Sequence, residues 1–277
     1  MKKIIALVLV ASCCLTVLCS CNSQKLNFGK EYVPIDTQLD VLIQLNSKSI
    51  DVGVIDSVMA GYYLNADSAY ANNLTIATCV ELLSEQYGIA ARKGSALIYY
   101  INKALVELAN DGTLGTLAEQ FGLKDYLCID NDYVGNEPTD TSDWDYIKNS
   151  GKLIIGYTLF APIAYEKDGK LTGFDIELAK LVCQKLEIEV EFVVILWEQK
   201  EINLESKSID CIWNGLTITD ERKAAMEISI PYLTNKQVAV IRKDDADKFK
   251  TTADMKNALI GAESGSAGES CIIIERK

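Results

Sequence analysis

The chain has 277 residues, with Lys+Arg 27 against Asp+Glu 39 for a formal net charge of -12, and it contains no histidine. The missing imidazole excludes Ser-His-Asp and Cys-His nucleophile systems, histidine general bases and histidine-ligated metals. With 49% hydrophobic and 24% charged residues the chain is composed like a folded protein with a real core, and its acidic balance argues against a nucleic-acid partner.

Residues 1–20 read as an export signal. Lys2 and Lys3 form a short basic region, residues 4–17 are largely apolar, and the run ends in Leu18-Cys19-Ser20-Cys21. That ending resembles a bacterial lipobox and makes Cys21 the expected lipid anchor, although Cys19 is an unusual residue for its place. Val10-Ala11-Ser12-Cys13 is a second reading with a very short apolar stretch, and a plain cleaved signal is a third; all three export the chain. No later run reaches the roughly 18 apolar residues of a membrane span. Beyond the signal stand Cys79, Cys128, Cys183, Cys211 and Cys271. Their number is odd and no C-x-x-C occurs, so neither a zinc site nor a disulfide framework is expected. Cys183 and Cys211 lie in apolar runs and read as small buried hydrophobes.

Residues 37–45 are expected as a helix, 50–55 as a strand ending at Asp56, and a helix follows through Val58 and Tyr62. Strands near 74–78 and 88–92 come next. Leu97, Ile101, Ala104, Leu105 and Leu108 then mark an amphipathic helix that stops at Asn110-Asp111-Gly112. Residues 114–121 give a further short helix. From 128 to 143 five acids (Asp130, Asp132, Glu137, Asp140 and Asp143) occur without a basic residue, which predicts a solvated linker between two parts, 26–127 and 144–277.

The second part alternates in the same way. Strands are expected at 153–157, 190–195, 209–213, 237–242 and 258–262, and helices at 174–186 and 220–226, the latter capped by Thr219 or Asp220. Lys167-Asp168-Gly169-Lys170 reads as a hairpin turn. The small-residue loop Glu263-Ser264-Gly265-Ser266-Ala267-Gly268 opens a last short helix. This alternation predicts α/β layers with mainly parallel pairing.

Several residues suggest a site for a small zwitterion, whose carboxylate needs a guanidinium and N–H donors and whose ammonium needs a carboxylate. Arg222 sits in a first helical turn, an odd place for a cation unless it meets an anion there; a surface ion pair is the plainer reading. Asp56 ends an apolar strand, where open α/β sheets place ligands, although it equally suits capping the next helix. Phe160 and Trp197 follow strands and either stack on a ligand or fill the core.

Together these features resemble the polar amino-acid substrate-binding proteins of ABC transporters, solute-binding protein family 3, with the type II periplasmic-binding fold. Residues 144–277 carry the resemblance to that family's N-terminal half, through Gly173-Phe174-Asp175-Ile176-Glu177-Leu178 and through residues 209–222, which include Asn214-Gly215-Leu216-Thr217. Residues 26–127 resemble its C-terminal half, through Ile50-Asp51-Val52-Gly53-Val54-Ile55-Asp56 and Gln86-Tyr87-Gly88-Ile89-Ala90. The order of the halves is exchanged, so the resemblance implies a circularly permuted, two-lobed α/β fold, with a fragment of a tandem array as the rival. In that reading 26–82 plus 240–277 form lobe two and 88–127 plus 144–234 lobe one. Residues 128–143 join the original termini, and hinges lie near 83–87 and 235–239.

The resemblance also implies roles. Phe160 and Trp197 sandwich the ligand's side chain, and Asn214 adds to the pocket rim. The Gly215 carbonyl meets the ligand's amino group, Asp56 pairs with its ammonium, and Thr217, Arg222, Ser266 and Ala267 hold its carboxylate. Thr158 stands where several members carry an acid, which puts a cationic ligand in doubt, although Glu263 could partly substitute. The implied function is capture of a polar or neutral L-amino acid by a monomeric, lipid-anchored extracytoplasmic receptor that serves an ABC permease, with no cofactor, no metal and no catalysis. A degenerate non-binding product and a dehydratase-like enzyme are the alternatives.

Overall fold

The computed structural model describes residues 25–65, 68–78, 80 and 82–275. The expected export signal with the expected anchor Cys21, Cys79 and Lys277 lie outside the described residues. After β1 (Lys25–Leu26) and β2 (Glu31–Ile35), the Thr37 hydroxyl accepts from the Asp40 N–H at 3.1 Å and starts α1 (Gln38–Asn46). β3 (Val52–Asp56) is buried along its whole length, as an apolar strand covered on both faces must be. α2 (Ser57–Tyr63) follows at once, then β4 (Leu74–Ile76) and the ten-residue β5 (Leu83–Arg92). α3 (Leu97–Asn110) buries Leu97, Ile101, Leu105 and Leu108 at helical spacing, and α4 (Thr113–Gln120) completes the pair.

Residues 128–141 carry no helix or strand. The acidic stretch is nevertheless tied down at its end, in the first turn of α5 (Ser142–Ser150). Asp143 accepts from Arg92 Nε at 2.8 Å and from Ser95 Oγ at 2.5 Å, and Trp144 stacks on Tyr100 at 4.6 Å. The expected linker 128–143 therefore runs two residues into α5, where an arginine at the end of β5 claims the last acid.

The second part continues with β6 (Lys152–Tyr157), the hairpin of β7 (Tyr165–Lys167) and β8 (Lys170–Thr172), α6 (Phe174–Leu186) and β9 (Glu189–Val194). Then come α7 (Lys200–Glu205), β10 (Cys211–Thr217), α8 (Asp220–Ala225) and β11 (Met226–Ile228). β12 (Leu233–Arg242), β13 (Leu259–Glu263), α9 (Ala267–Ile272) and β14 (Ile273–Glu275) complete the fold. Cys183 and Cys211 are buried, as their apolar surroundings require.

One ten-stranded sheet runs in the order β2-β13-β3-β12-β5-β10-β6-β9, with β4 on β12 and β11 on β5. Its flanks are parallel: β2, β13 and β3 form one, here the β3 half, and β10, β6 and β9 the other, the β10 half. The middle is antiparallel, which simple strand–helix alternation does not predict. The reason is the length of β5 and β12. β12 pairs with β5 over residues 233–237 and with β3 over 237–241, while β5 leaves β12 at Tyr87 and joins β10. Each long strand thus begins against one neighbour and ends against another. β1 pairs antiparallel with β14, placing Lys25 opposite Glu275.

The largest core cluster gathers α3, α4 and α6 through Leu105, Leu117 and Leu178. Val58 and Met59 of α2 belong to the same cluster. Each such side chain contributes about 1.5–3 kcal/mol on burial, so α2 binds the two halves more firmly than an exposed connection does.

Candidate ligand-binding site

Strand ends from both halves of the sheet converge on one small cavity. β3 ends at Asp56, β13 at Glu263 and β10 at Thr217, while Thr158 follows β6 and Trp197 lies shortly after β9. Carboxyl ends of parallel strands are where open α/β sheets hold ligands. Eight of the nine expected site residues line this cavity: Asp56, Phe160, Trp197, Asn214, Gly215, Thr217, Ser266 and Ala267. Thr158, Gln38 and Glu263 join them. The volume is about 10 Å³, which is room for one water and not for an amino acid. Larger hollows of about 720 Å³, between α4 and α6, and about 800 Å³, beside β5 and β12, are open surface grooves where no such strand ends meet.

Asp56 stands at the N-cap position of α2, yet its side chain makes no capping bond there. Its carboxylate instead accepts from Gln38 Nε2, Asn235 Nδ2, Tyr87 Oη at 2.6 Å and Gln237 Nε2 at 2.9 Å. The Asp56 N–H donates to Gln38 Oε1 at 2.9 Å. Asn235 and Gln237 also donate to Glu85 across the β5–β12 pair. Burial and then the Asp56 charge push the Glu85 carboxyl up to about 8, and the same two causes push Glu263 to about 8. The sequence gives no sign of this network, whose members lie up to 181 residues apart.

Gly215 sits in a bulge where the β10–β5 register shifts, with φ of 62°. A Cβ there would lie 2.8 Å from Phe160 Cε1 and 3.1 Å from Tyr87 Cε2, so only glycine lets the aromatic rings close over the strand. The Gly215 N–H donates to Asp175 Oδ2 at 2.8 Å, and Tyr232 Oη donates to the same oxygen at 2.8 Å. Asp175 is the acid of the Gly173-Phe174-Asp175 motif. Complete burial raises its carboxyl to about 7, against the pull of those two donors. An acid between Phe174 and Ile176 in a buried first turn was the available signal for this role. Asn214 faces Thr158, whose hydroxyl is 2.8 Å away; with its amide oxygen turned to that hydroxyl it also bonds the Thr158 main chain at 3.1 and 3.3 Å.

Phe160 and Trp197 are both cavity lining and core, since each is buried within an apolar cluster. Arg222 is the one expected residue that does not line the cavity. Thr219 caps α8, and the Arg222 guanidinium crosses beside the cavity to the Thr217 carbonyl at 2.8 Å and the Gly265 carbonyl at 3.2 Å. Lys200, missed in the sequence because it reads as an ordinary helix-surface lysine, is only 3% exposed. Its ammonium donates to the carbonyls of Trp197 at 3.2 Å and Gly265 at 3.1 Å and pairs with Glu201 at 3.3 Å. Burial, then the neighbouring Arg222, lowers it from the ordinary lysine range. Two cations of the β10 half therefore hold the loop that follows β13. Tyr62 of α2 and Tyr165 of β7 add a ring contact at 5.6 Å.

Comparison with known proteins matches residues 153–262 to the bacterial extracellular solute-binding proteins, family 3. The L-cystine-binding protein TcyJ of Escherichia coli K12 is 33% identical over 122 residues, which is 43% of this chain and 46% of that protein. The arginine-binding extracellular protein ArtP of Bacillus subtilis is 32% identical over 119 residues, 43% of this chain and 46% of that protein. Among solved structures, an ABC uptake transporter substrate binding protein from Streptococcus pneumoniae with bound histidine shares 38% identity, with a TM-score of 0.30, over 31% of this chain and 36% of that one. The chain spans about half the length of the curated relatives it matches.

Proposed function

We propose that this chain, whose residues 153–262 match family 3 of the bacterial extracellular solute-binding proteins, captures a polar or neutral L-amino acid between the two halves of its sheet and presents it to an ABC importer. The observation that carries this reading is the convergence of Asp56, Thr217 and Ser266 on one cavity, with Arg222 beside it. An acid together with a hydroxyl pair and a neighbouring guanidinium suits the ammonium and carboxylate of one small molecule. Ser266 caps α9 by accepting from the Glu269 N–H at 3.1 Å, which holds its hydroxyl at the loop.

A cavity of about 10 Å³ admits such a ligand only after the halves part. The flex points we assign are residues 83–87 and 235–239, on the two strands that pass between the halves, with residues 26–82 plus 240–277 moving against 88–127 plus 144–234. Ligand contacts to both sides then favour the closed form by differential affinity. We read the exchanged order of the halves as a circular permutation; what supports it is that one cavity takes Asp56 from the first part and Phe160, Thr217 and Ser266 from the second. Export with a lipid anchor at Cys21 and action as a monomer complete the proposal. A thermal-shift screen of the amino acids tests it. One or a few are expected to raise the melting temperature, with no product formed; no shift from any of them contradicts it.

A further inference from the structure

Among the residues that line the cavity, both charged side chains are acids, Asp56 and Glu263. Each is about 4% exposed. One carboxylate is enough for an α-ammonium, and Asp56 is already held in place for that task by Gln38, Tyr87, Asn235 and Gln237. Glu263 has a thinner shell. The Gln38 amide bridges it to Asp56, and the nearest cation, Lys200, is taken up by two carbonyls and by Glu201. A buried carboxylate without a counter-ion is unfavourable unless a cation arrives or a proton stays on it. Phe160 and Trp197 line the same space, and aromatic rings favour cations.

We propose that Glu263 is a specificity-determining residue that selects an amino acid carrying a second cationic group on its side chain, with Asp56 taking the α-ammonium. This rests on the receptor reading above and sharpens it. Thr158 lines the same cavity without a charge, so Glu263 is its second acid beside Asp56. The groups facing Glu263 are Asp56 on β3, Lys200 on α7 and the neutral Gln38 on α1, with Glu85 and Tyr87 behind Asp56, Arg222 beside Lys200, and Glu269 on α9 bonded to the Gly265 N–H at 2.8 Å. In the empty cavity at neutral pH the Glu263 carboxyl keeps its proton, because burial and the Asp56 charge both favour that. A cationic side chain displaces that proton to solvent, whereas a neutral side chain leaves it in place.

The test is titration calorimetry of the whole chain with L-arginine and L-lysine against L-glutamine and L-norleucine, in two buffers of different ionisation heat. The cationic pair is expected to bind at least tenfold more tightly at pH 8.5, with release of about one proton near pH 7. From pH 8.5 to 6.5 their affinity falls roughly ten- to thirtyfold, since the side chains themselves stay charged across that range. Glu263→Gln removes the preference and flattens this pH profile, with proton release on binding lost. If Glu263→Gln fails to fold, proton release by the unaltered chain decides alone. Neutral ligands binding as tightly as cationic ones, without proton release, overturn the inference and leave the receptor reading standing. Absence of heat from every amino acid overturns both.

Discussion

Arg222 Nη2 lies 3.2 Å from the carbonyl oxygen of Gly265, so a cation fixed on the β10 side reaches the loop that follows β13. Lys200 Nζ meets the same oxygen at 3.1 Å. The φ of 73° at Gly265 lets that loop approach to where a Cβ would be 3.1 Å from Glu198 Cα. Closure is thus built partly from contacts within the chain itself, and ligand binding competes with or completes them.

Replacing Arg222 by Ala removes the guanidinium that links Thr217 to Gly265. It is expected to weaken amino-acid binding by about 2–5 kcal/mol, because the ligand carboxylate is left without its charge partner. Equilibrium dialysis measures this; unchanged affinity removes Arg222 from the site.

Three buried acids set the pH dependence of stability between pH 5 and 8. Glu85 and Glu263 are raised to about 8, and Asp175 to about 7. A raised carboxyl binds its proton more tightly in the folded than in the unfolded chain. Its contribution is therefore full below about pH 4 and is lost as pH climbs towards 7–8. The unliganded chain is therefore expected to be less stable at pH 8 than at pH 5. Urea unfolding at pH 5 and pH 8 checks the sign, and Glu85→Gln should reduce the difference.

Asp175→Ala leaves the Gly215 N–H and the Tyr232 hydroxyl without their acceptor. Each buried donor left unpaired costs about 1–3 kcal/mol, so a loss of about 2–4 kcal/mol is expected in urea unfolding. Gly215→Ala is expected to cost a similar amount through its positive φ and the Phe160 contact. A loss below 0.5 kcal/mol in both, on the order of surface substitutions, counts against a bulge fixed by Asp175.

Limited proteolysis should cut first in the segment 128–141, which has no regular structure and exposes Val134 at 90%. The two pieces are expected to co-elute in native gel filtration, because the β3–β12 and β5–β10 pairs and the α2 contacts join them. Separate elution contradicts a single module made from both parts.

The strands and helices were largely legible because their apolar residues recur at the right period; residues 97–110 and 174–186 are helices with the expected bounds. Asn214, Gly215 and Thr217 lie within the motif at residues 209–222 and Asp56 ends the one at residues 50–56, so their place on the cavity is local information. So is that of Phe160 and Trp197, in loops just after strands. What stayed hidden depends on long-range juxtaposition. Lys200 is buried only because the Gly265 loop lands on it, 65 residues away. Glu85, Asn235 and Gln237 look like exposed polar positions until β5 and β12 pair beside Asp56. The antiparallel centre of the sheet was hidden for the same reason, since strand direction is fixed by topology and not by period. Arg222, expected among the ligand-binding residues, lies beside the cavity on the Thr217 and Gly265 carbonyls and not in its lining, a distinction that a motif does not resolve.

A crystal structure grown with the amino acid that most raises the melting temperature tests the central claim directly. The account predicts that ligand between Asp56 and Arg222, in a cavity enlarged well beyond its present volume of about 10 Å³, with its carboxylate near Thr217 and Ser266. The same ligand lodged in one of the surface grooves, with the Asp56 cavity still closed, would contradict it.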